Sequence, residues 1–479
     1  MKGAMQGERV TYVYDSSIRV PDDVHALTGI ERFGAMIVHR QRLADAALAA
    51  ARAAGCHECL HVRTEGELRL VAERIADAAP NTRVLYQSSR YALGEEESRA
   101  ALQALMGAEA ACGYVRGGAL LLGMPDIVAG HWLANEYRHG PPPCTVLPDD
   151  PAALDLCAPA DLAEMLGRMM LPRAFNQLRQ HGAVVEKSSR DRAKIRAEFE
   201  MIGLLPDELR AMFVQPFDFH DDGAVASYRM ERLNVPDMGL QWVHDALDPE
   251  EFSGFLERVS RWFERRPLRH VGAARAADVA RELYVDKVLR RADAFEAMPA
   301  CEAVDRYLSA RQGAGFRALV TRCIAAVERV SRAAHLDALA MSHGDPCLSN
   351  ILYDKRVGLL RFIDPRGALD ENALYMDAYY DVAKLSHSIL GDYDYLHQGL
   401  FDLALDDALS LELRLNRGVQ FQQQRAFRDR VAAWGFDLPT VRAYEASLFV
   451  SMAPLHADAP RRVVALLLNA ERILTELGR

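Results

Sequence analysis

The sequence has no excess of positive charge: 57 Lys and Arg stand against 67 Asp and Glu, for a formal charge of −10. It therefore has no broad basic field to neutralise a phosphate backbone, which excludes nucleic acid as the main partner, and an anionic ligand would need a local basic pocket. It also lacks long apolar runs. None reaches the length that spans a bilayer, and the opening stretch Met1-Lys2-Gly3-Ala4-Met5-Gln6-Gly7-Glu8-Arg9 has no apolar signal-peptide core, so the chain reads as cytoplasmic with no membrane span. Paired cysteines are scarce. The eight, at 56, 59, 112, 144, 157, 301, 323 and 347, include one close pair, Cys56-His57-Glu58-Cys59, with no second pair nearby to complete a zinc site. They read as reduced structural thiols. Repeats and low-complexity tracts are missing too.

What is present is the balance of a globular protein: 479 residues, 50% hydrophobic and 26% charged, enough for two domains. Residues 1–140 alternate strand and helix patterns. Val10–Tyr14, Cys59–Arg63, Thr82–Tyr86 and Ala119–Leu122 read as strands, and Ala44–Ala54, Glu65–Ala78 and Glu96–Gly107 as helices. Proline clusters at 141–143 and 148–151 place a linker over 141–157. Pro159–Met170 reads as helix, Ala183–Lys187 as strand and Arg192–Leu205 as helix. After Tyr228-Arg229-Met230-Glu231 nearly everything reads as amphipathic helix, apart from a short region at 351–364. The expected fold is thus α/β plus α+β: a small α/β domain at 1–140, a strand-rich lobe and hinge at 158–232, and a large helical lobe at 233–479.

The strongest chemical signal is Ser342-His343-Gly344-Asp345-Pro346-Cys347-Leu348-Ser349-Asn350-Ile351-Leu352-Tyr353, followed by Leu360-Arg361-Phe362-Ile363-Asp364-Pro365. Phosphoryl transfer needs a carboxylate to orient and deprotonate the incoming hydroxyl. It also needs an amide oxygen and a second carboxylate to hold the magnesium that bridges the triphosphate. Asp345, Asn350 and Asp364 suit those jobs, and a hairpin from 351 to 363 would return Asp364 to Asn350. Lys187 on a strand, with Glu198 or Glu200 on the next helix, would supply the ion pair that steadies a nucleotide's α- and β-phosphates. Ser188, Ser189 and Arg190 follow as phosphate contacts, because the stretch 173–182 has one glycine where a phosphate-covering loop would be rich in them.

These motifs resemble the HGDxxxxN loop and the Ile-Asp-Pro segment of aminoglycoside phosphotransferases and choline kinases. The resemblance implies a bilobal protein-kinase-like fold, ATP and Mg²⁺ as cofactors, Asp345 as catalytic base, Asn350 and Asp364 as metal ligands, and an adenine-reading hinge at Met230 and Glu231. It further implies that Asp381, in Asp381-Val382-Ala383-Lys384-Leu385, supports the loop without touching substrate. Phe175-Asn176, Glu186-Lys187-Ser188-Ser189, Ile363-Asp364-Pro365-Arg366-Gly367 and Asp381 through Ser388 together resemble a bacterial subgroup of capsular-polysaccharide biosynthesis phosphotransferases. The acceptor would then be a small-molecule hydroxyl, a sugar or an amino alcohol. Asp370, Glu371, Asp377, Asp392 and Asp394 would line a site for a cationic acceptor, or else be solvated charge. His343, His387 and His456 are candidate contacts.

The N-terminal domain resembles sugar-nucleotide nucleotidyltransferases in its α/β layer. It has Tyr14-Asp15-Ser16-Ser17-Ile18-Arg19 where they have a glycine-rich phosphate loop, so it reads as degenerate, with Asp15 its best candidate for activity. Two other readings stay open: a catalytically weak, pseudokinase-like scaffold, and a bifunctional nucleotidyltransferase-kinase.

Overall fold

The computed structural model describes residues 9–38, 41–76, 82–108, 110–116, 118–135, 137–147, 151–168, 176–233, 235–331, 337–405, 411–415 and 420–478. Pro148-Asp149-Asp150 of the expected linker, the last two residues of the helix expected to reach Met170, and Phe175 lie outside them. Two compact units divide the chain, Met1–Met170 and Leu171–Arg479.

The first unit contains β1 (Arg9–Asp15), α1 (Leu43–Ala54), β2 (Glu58–Val62), α2 (Glu65–Ala76), β3 (Thr82–Ser88), α3 (Glu95–Met106), β4 (Cys112–Val115), β5 (Ala119–Pro125), α4 (Asp126–Asn135) and β6 (Thr145–Val146). Its sheet runs β2-β1-β3-β5-β4-β6, parallel from β2 to β3 and antiparallel where β5 joins β3 and β4. The interior strand β1 is buried from Val10 to Asp15. A strand covered on both faces needs such a run rather than an alternating one. Helix α1 is alanine-rich and ends where Gly55, at φ +105°, returns its N–H to Ala51 and Arg52, a left-handed cap that glycine adopts without a Cβ penalty.

The expected linker differs from what is seen. Thr145 pairs with Cys112 across β4 and β6, Leu154–Asp155 pairs with Tyr91–Ala92, and Arg90 donates twice to Asp155, at 2.7 and 2.6 Å. Proline ended helix and central strand there, but short edge pairing survives beside it. The helix Pro159–Arg168, expected in the next lobe, also falls within this unit.

The second unit has the expected small sheet and large helical body. β7 (Asn176–His181), β8 (Val184–Ser189), α5 (Arg192–Leu204), β9 (Pro216–Asp221) and β10 (Ala226–Glu231) form an antiparallel sheet, β7-β8-β10-β9, with α5 against it. Asp191 caps α5 by accepting from the Lys194 N–H. The larger lobe includes α6 (Pro249–Arg265), α7 (Lys287–Glu296), the hairpin β11 (Ile351–Asp354) and β12 (Leu359–Phe362), α8 (Tyr380–Ile389), α9 (Leu438–Ser451) and α10 (Pro460–Leu477). A capping box from Asp248 and Glu251 starts α6, with proline in its first turn. Helix α9 is buried at every position from Thr440 to Ser451, as the central element of an all-round helical packing must be.

This lobe is less purely helical than its sequence suggests. Leu268–His270, Ala338–Met341 and Tyr375–Asp377 form a small sheet, and Phe401–Leu405 pairs with Leu411–Leu415. Strands this short carry too few residues for their period of two to show. Among the described residues no helix is long and apolar enough to cross a membrane.

Candidate active site

Strand β8 alternates half-buried and buried residues from Val184 to Ser189, so Val185, Lys187 and Ser189 share the face packed toward α5. Lys187 is 4% exposed. Its ammonium lies 2.5 Å from Glu198 of α5 and also pairs with Asp364 of the large lobe. Tyr228 of β10 donates to Glu198 at 3.2 Å, and Lys194 stands 3.4 Å from its other oxygen. Glu200 is exposed. Burial alone would lower the Lys187 pKa, but Asp364, Tyr228 and Glu198 outweigh it and hold the amine charged, above its ordinary value.

Asp364 follows β12 at φ +56°, a left-handed conformation that Asp tolerates better than most residues. Its position is fixed from both sides. Ile363 donates its N–H to the Asn350 carbonyl at 3.0 Å, and Ala368 donates to the Ala197 carbonyl of α5 at 3.0 Å. Gly367 sits between at φ +89°, where a Cβ would come within 2.7 Å of the Ala197 and Glu198 backbone. Only glycine lets this loop approach α5 so closely.

The loop from Ser342 to Asn350 is held from beneath by Asp381 of α8. Its carboxylate, fully buried, accepts the N–H groups of His343 and Gly344 and the Trp262 indole of α6, each at 2.9 Å, and lies 3.4 Å from Arg266. His343 is a strut. Its Nδ1 accepts the Asp345 N–H at 3.1 Å, which leaves Nε2–H to donate to the Ile363 carbonyl at 3.1 Å, and its ring stacks on Phe213 at 5.5 Å. Burial lowers its pKa, so a neutral packed imidazole replaces the substrate contact considered from the sequence.

Asn350 donates its side-chain N–H to the Asp345 carbonyl at 2.8 Å. That hydrogen bond fixes the amide so that its oxygen is the remaining donor atom. Asp345 is half-buried, with Lys384 of α8 2.9 Å from its carboxylate. Thus Lys187, Asp364, Asn350 and the Asp345 loop form one connected set across the two lobes.

No family model matches the sequence, and no curated protein matches it. Among solved structures, the chain is similar to a thermostable mutant of the aminoglycoside phosphotransferase APH(4)-Ia in its apo form, at 12% identity over 63% of this chain and 94% of that one, TM-score 0.37. It is similar also to a glucosamine kinase in complex with glucosamine, ADP and inorganic phosphate, at 17% identity over 67% and 87%, TM-score 0.40. A third is a choline/ethanolamine kinase family protein from Mesorhizobium loti, at 14% identity over 64% and 86%, TM-score 0.33.

Other expected site residues are placed differently. Ser188 falls on the face of β8 opposite Lys187, by strand alternation. The Met230 side chain packs in the small-lobe core with Val185 and Tyr228. Glu231 lines a cavity of about 520 Å³ with Arg210, Gln215 and Arg361, and none of Lys187, Asp345, Asn350 or Asp364 is among its lining residues.

Of the acidic residues after Asp364, Asp370 and Glu371 are exposed and the other three are buried. Asp370 caps a turn, Glu371 pairs with Arg269, Asp377 accepts from Tyr284, Asp392 faces Arg472, and Asp394 is buried away from solvent. His387 packs between Tyr393 and Phe449, at 4.3 and 4.1 Å, and His456 against His397. Sequence reasoning missed Lys384 as the partner of Asp345. A signal existed: it lies three residues after Asp381, on the same side of a helix already aimed at the loop.

Proposed function

We propose that the second unit is an ATP- and Mg²⁺-dependent phosphotransferase acting on a hydroxyl of a small polar molecule. The observation that carries the reading is the Lys187–Asp364 ion pair, which ties the small lobe to the hairpin holding Asn350 and the Asp345 loop. Asn350 and Asp364 offer one amide oxygen and one carboxylate, the sparse hard-oxygen set from which Mg²⁺ is held when substrate phosphates supply further ligands. When bound, that ion would neutralise charge developing on the phosphates.

In this reading Asp345 orients the acceptor hydroxyl and takes its proton. The acceptor oxygen forms a bond to the γ-phosphorus while the bond from that phosphorus to the bridging oxygen breaks, and ADP leaves. Lys187, released from Asp364 or shared with it, meets the α- and β-phosphates and is kept aimed by Glu198. The buried Asp381–Arg266 pair serves positioning alone. An acceptor of the sugar class fits the resemblance to capsular-polysaccharide enzymes.

The test is transfer of labelled γ-phosphate from Mg-ATP to a panel of hydroxyl compounds by the full-length protein. Transfer that is lost in Asp345→Asn supports the proposal. Undiminished transfer in that variant, or no Mg-dependent ATP binding, would overturn it.

A further inference from the structure

Around Asp345 the large lobe gathers cations rather than carboxylates. Lys287 of α7 donates to the Tyr380 hydroxyl at 3.0 Å, and its ammonium lies 5.3 Å from that ring's centre. Arg366, from the loop after Asp364, stands 6.0 Å from the same ring. Lys384 is one turn along α8 from Tyr380, 2.9 Å from Asp345. Arg291 is four residues after Lys287, hence on the same side of α7, and donates to the Ser451 carbonyl at 3.1 Å.

Among the described residues no carboxylate lies within ion-pair reach of Lys287, Arg291 or Arg366. Lys287 and Arg366 therefore flank one phenol, Lys384 one turn along holds the carboxylate that would handle the proton, and Arg291 extends the cationic face of α7. The electrostatics agree with this geometry. Burial raises the Tyr380 phenol, yet Lys287, Lys384 and Arg366 pull it below its ordinary value, and burial with the nearby Lys384 lowers Lys287 itself.

Cations packed this closely repel and are costly unless an anion joins them. The backbone is built to assemble them. A π-helical turn, Glu282–Asp286, immediately precedes Lys287 and shifts the register of α7, the kind of insertion found often at functional sites. Close by is His387, fully buried, with neither ring nitrogen hydrogen-bonded, an orphaned polar group that awaits a partner.

We propose that the acceptor carries an anionic group of its own, a phosphate or a carboxylate, that is bound by Lys287, Arg291 and Arg366 while Asp345 meets its hydroxyl. This rests on the phosphotransferase reading and narrows its substrate class. Lys384 acts as a positioning residue through Asp345.

The test uses the full-length protein saturated with Mg²⁺ and a non-hydrolysable ATP analogue, so that the nucleotide's own phosphate contacts are filled. Calorimetric titrations compare ribose with ribose 5-phosphate, fructose with fructose 6-phosphate and glucose with glucuronate. Glucosamine and ethanolamine serve as cationic controls. The expected result is at least tenfold tighter binding of an anionic member than of its neutral partner, by the phosphate pairs, the carboxylate pair or both. Lys287→Gln and Arg291→Gln should each erase most of that preference, Lys287→Arg and Arg291→Lys should restore it, and affinity for the analogue should stay within twofold. Neutral or cationic compounds binding as well as the anionic ones, or a preference indifferent to both Gln variants, would overturn the proposal while leaving the kinase reading intact. If the analogue fails to bind, the kinase reading falls. Inorganic phosphate titrated alone then decides the cluster: binding lost in Arg291→Gln supports an anion site, and binding unchanged or absent rejects it.

Discussion

Each unit places an aspartate at or after the end of a buried strand, and the two are used in opposite ways. Asp15 ends β1 of the first unit, 1% exposed, with one oxygen accepting from Tyr86 at 2.7 Å and the other from the Ser17 N–H at 2.8 Å. Asp345 follows the strand Ala338–Met341 of the second unit, half-buried, among Lys384, Asn350 and the cations beyond. A carboxylate whose lone pairs are spent on a neighbouring phenol and its own turn organises a fold. One that is half-buried and paired with an ammonium keeps lone pairs that a reaction could use. In sequence the two look alike, and the distinction lies in what distant residues bring to them.

The largest effect expected from this contrast is on transfer. Asp345→Asn should reduce the rate of γ-phosphoryl transfer about 10³-fold with little change in melting temperature, since removing a general base costs 10²- to 10⁴-fold. Asp15→Asn should leave that rate unchanged. Loss of transfer in a folded Asp15→Asn protein would break the comparison.

Next comes Gly367→Ala. Its Cβ would enter the space of the Ala197 and Glu198 backbone, 2.7 Å away, at a φ of +89°. The Asp364 loop should be displaced from α5 and the Lys187–Asp364 pair loosened. We expect kcat/KM to fall about 10²-fold, the scale of an ångström-sized misplacement, with the loss shared between KM for ATP and kcat. Wild-type kinetics in a folded Gly367→Ala protein would mean that this close approach does not position the site.

A smaller effect is expected from Asp15→Ala, now on stability. It leaves the buried Tyr86 hydroxyl without its acceptor, which costs about 1–3 kcal/mol and should lower the urea midpoint of the first unit, with transfer kinetics untouched. No shift in that midpoint would show that Tyr86 finds another partner.

The motif-bearing parts of the site were legible because they are local. Asp345 and Asn350 are five residues apart, and the apolar runs 351–353 and 359–363 announce the hairpin that returns Asp364. Lys187 and Glu198 were legible for the same reason, one strand and one helix with a cap between them. What escaped notice comes from contacts across long stretches of chain. Lys287 reaches Tyr380 from 93 residues away, and Trp262 reaches Asp381 from 119, so no spacing rule could pair them. The edge strand Thr145–Val146 was hidden by its prolines, and its two residues are too few to show a period. For the acidic residues after Asp364 the sequence leaves a lining and solvated charge both open, because their charges are visible in it and their burial is not.

Asp394 offers the subtlest way to sharpen the contrast, for it is an acid used in neither of the two ways. It is buried and Asp237 beside it is half-buried, with Gly239 packed against both, and desolvation pushes each carboxyl up to about 7. In the unfolded chain both titrate near 4. The folded state therefore binds more protons between about pH 4 and 7, so stability falls as pH rises through that window and levels off above it. Asp394→Asn keeps the shape but removes one titration. It should flatten this slope and raise stability at pH 8 by about 1–2 kcal/mol, while changing nothing at pH 4, where the native pair is already protonated. Urea unfolding of both proteins at pH 4, 6 and 8 measures this, and an equal slope in the two would mean that Asp394 is ionised and paired in the native protein.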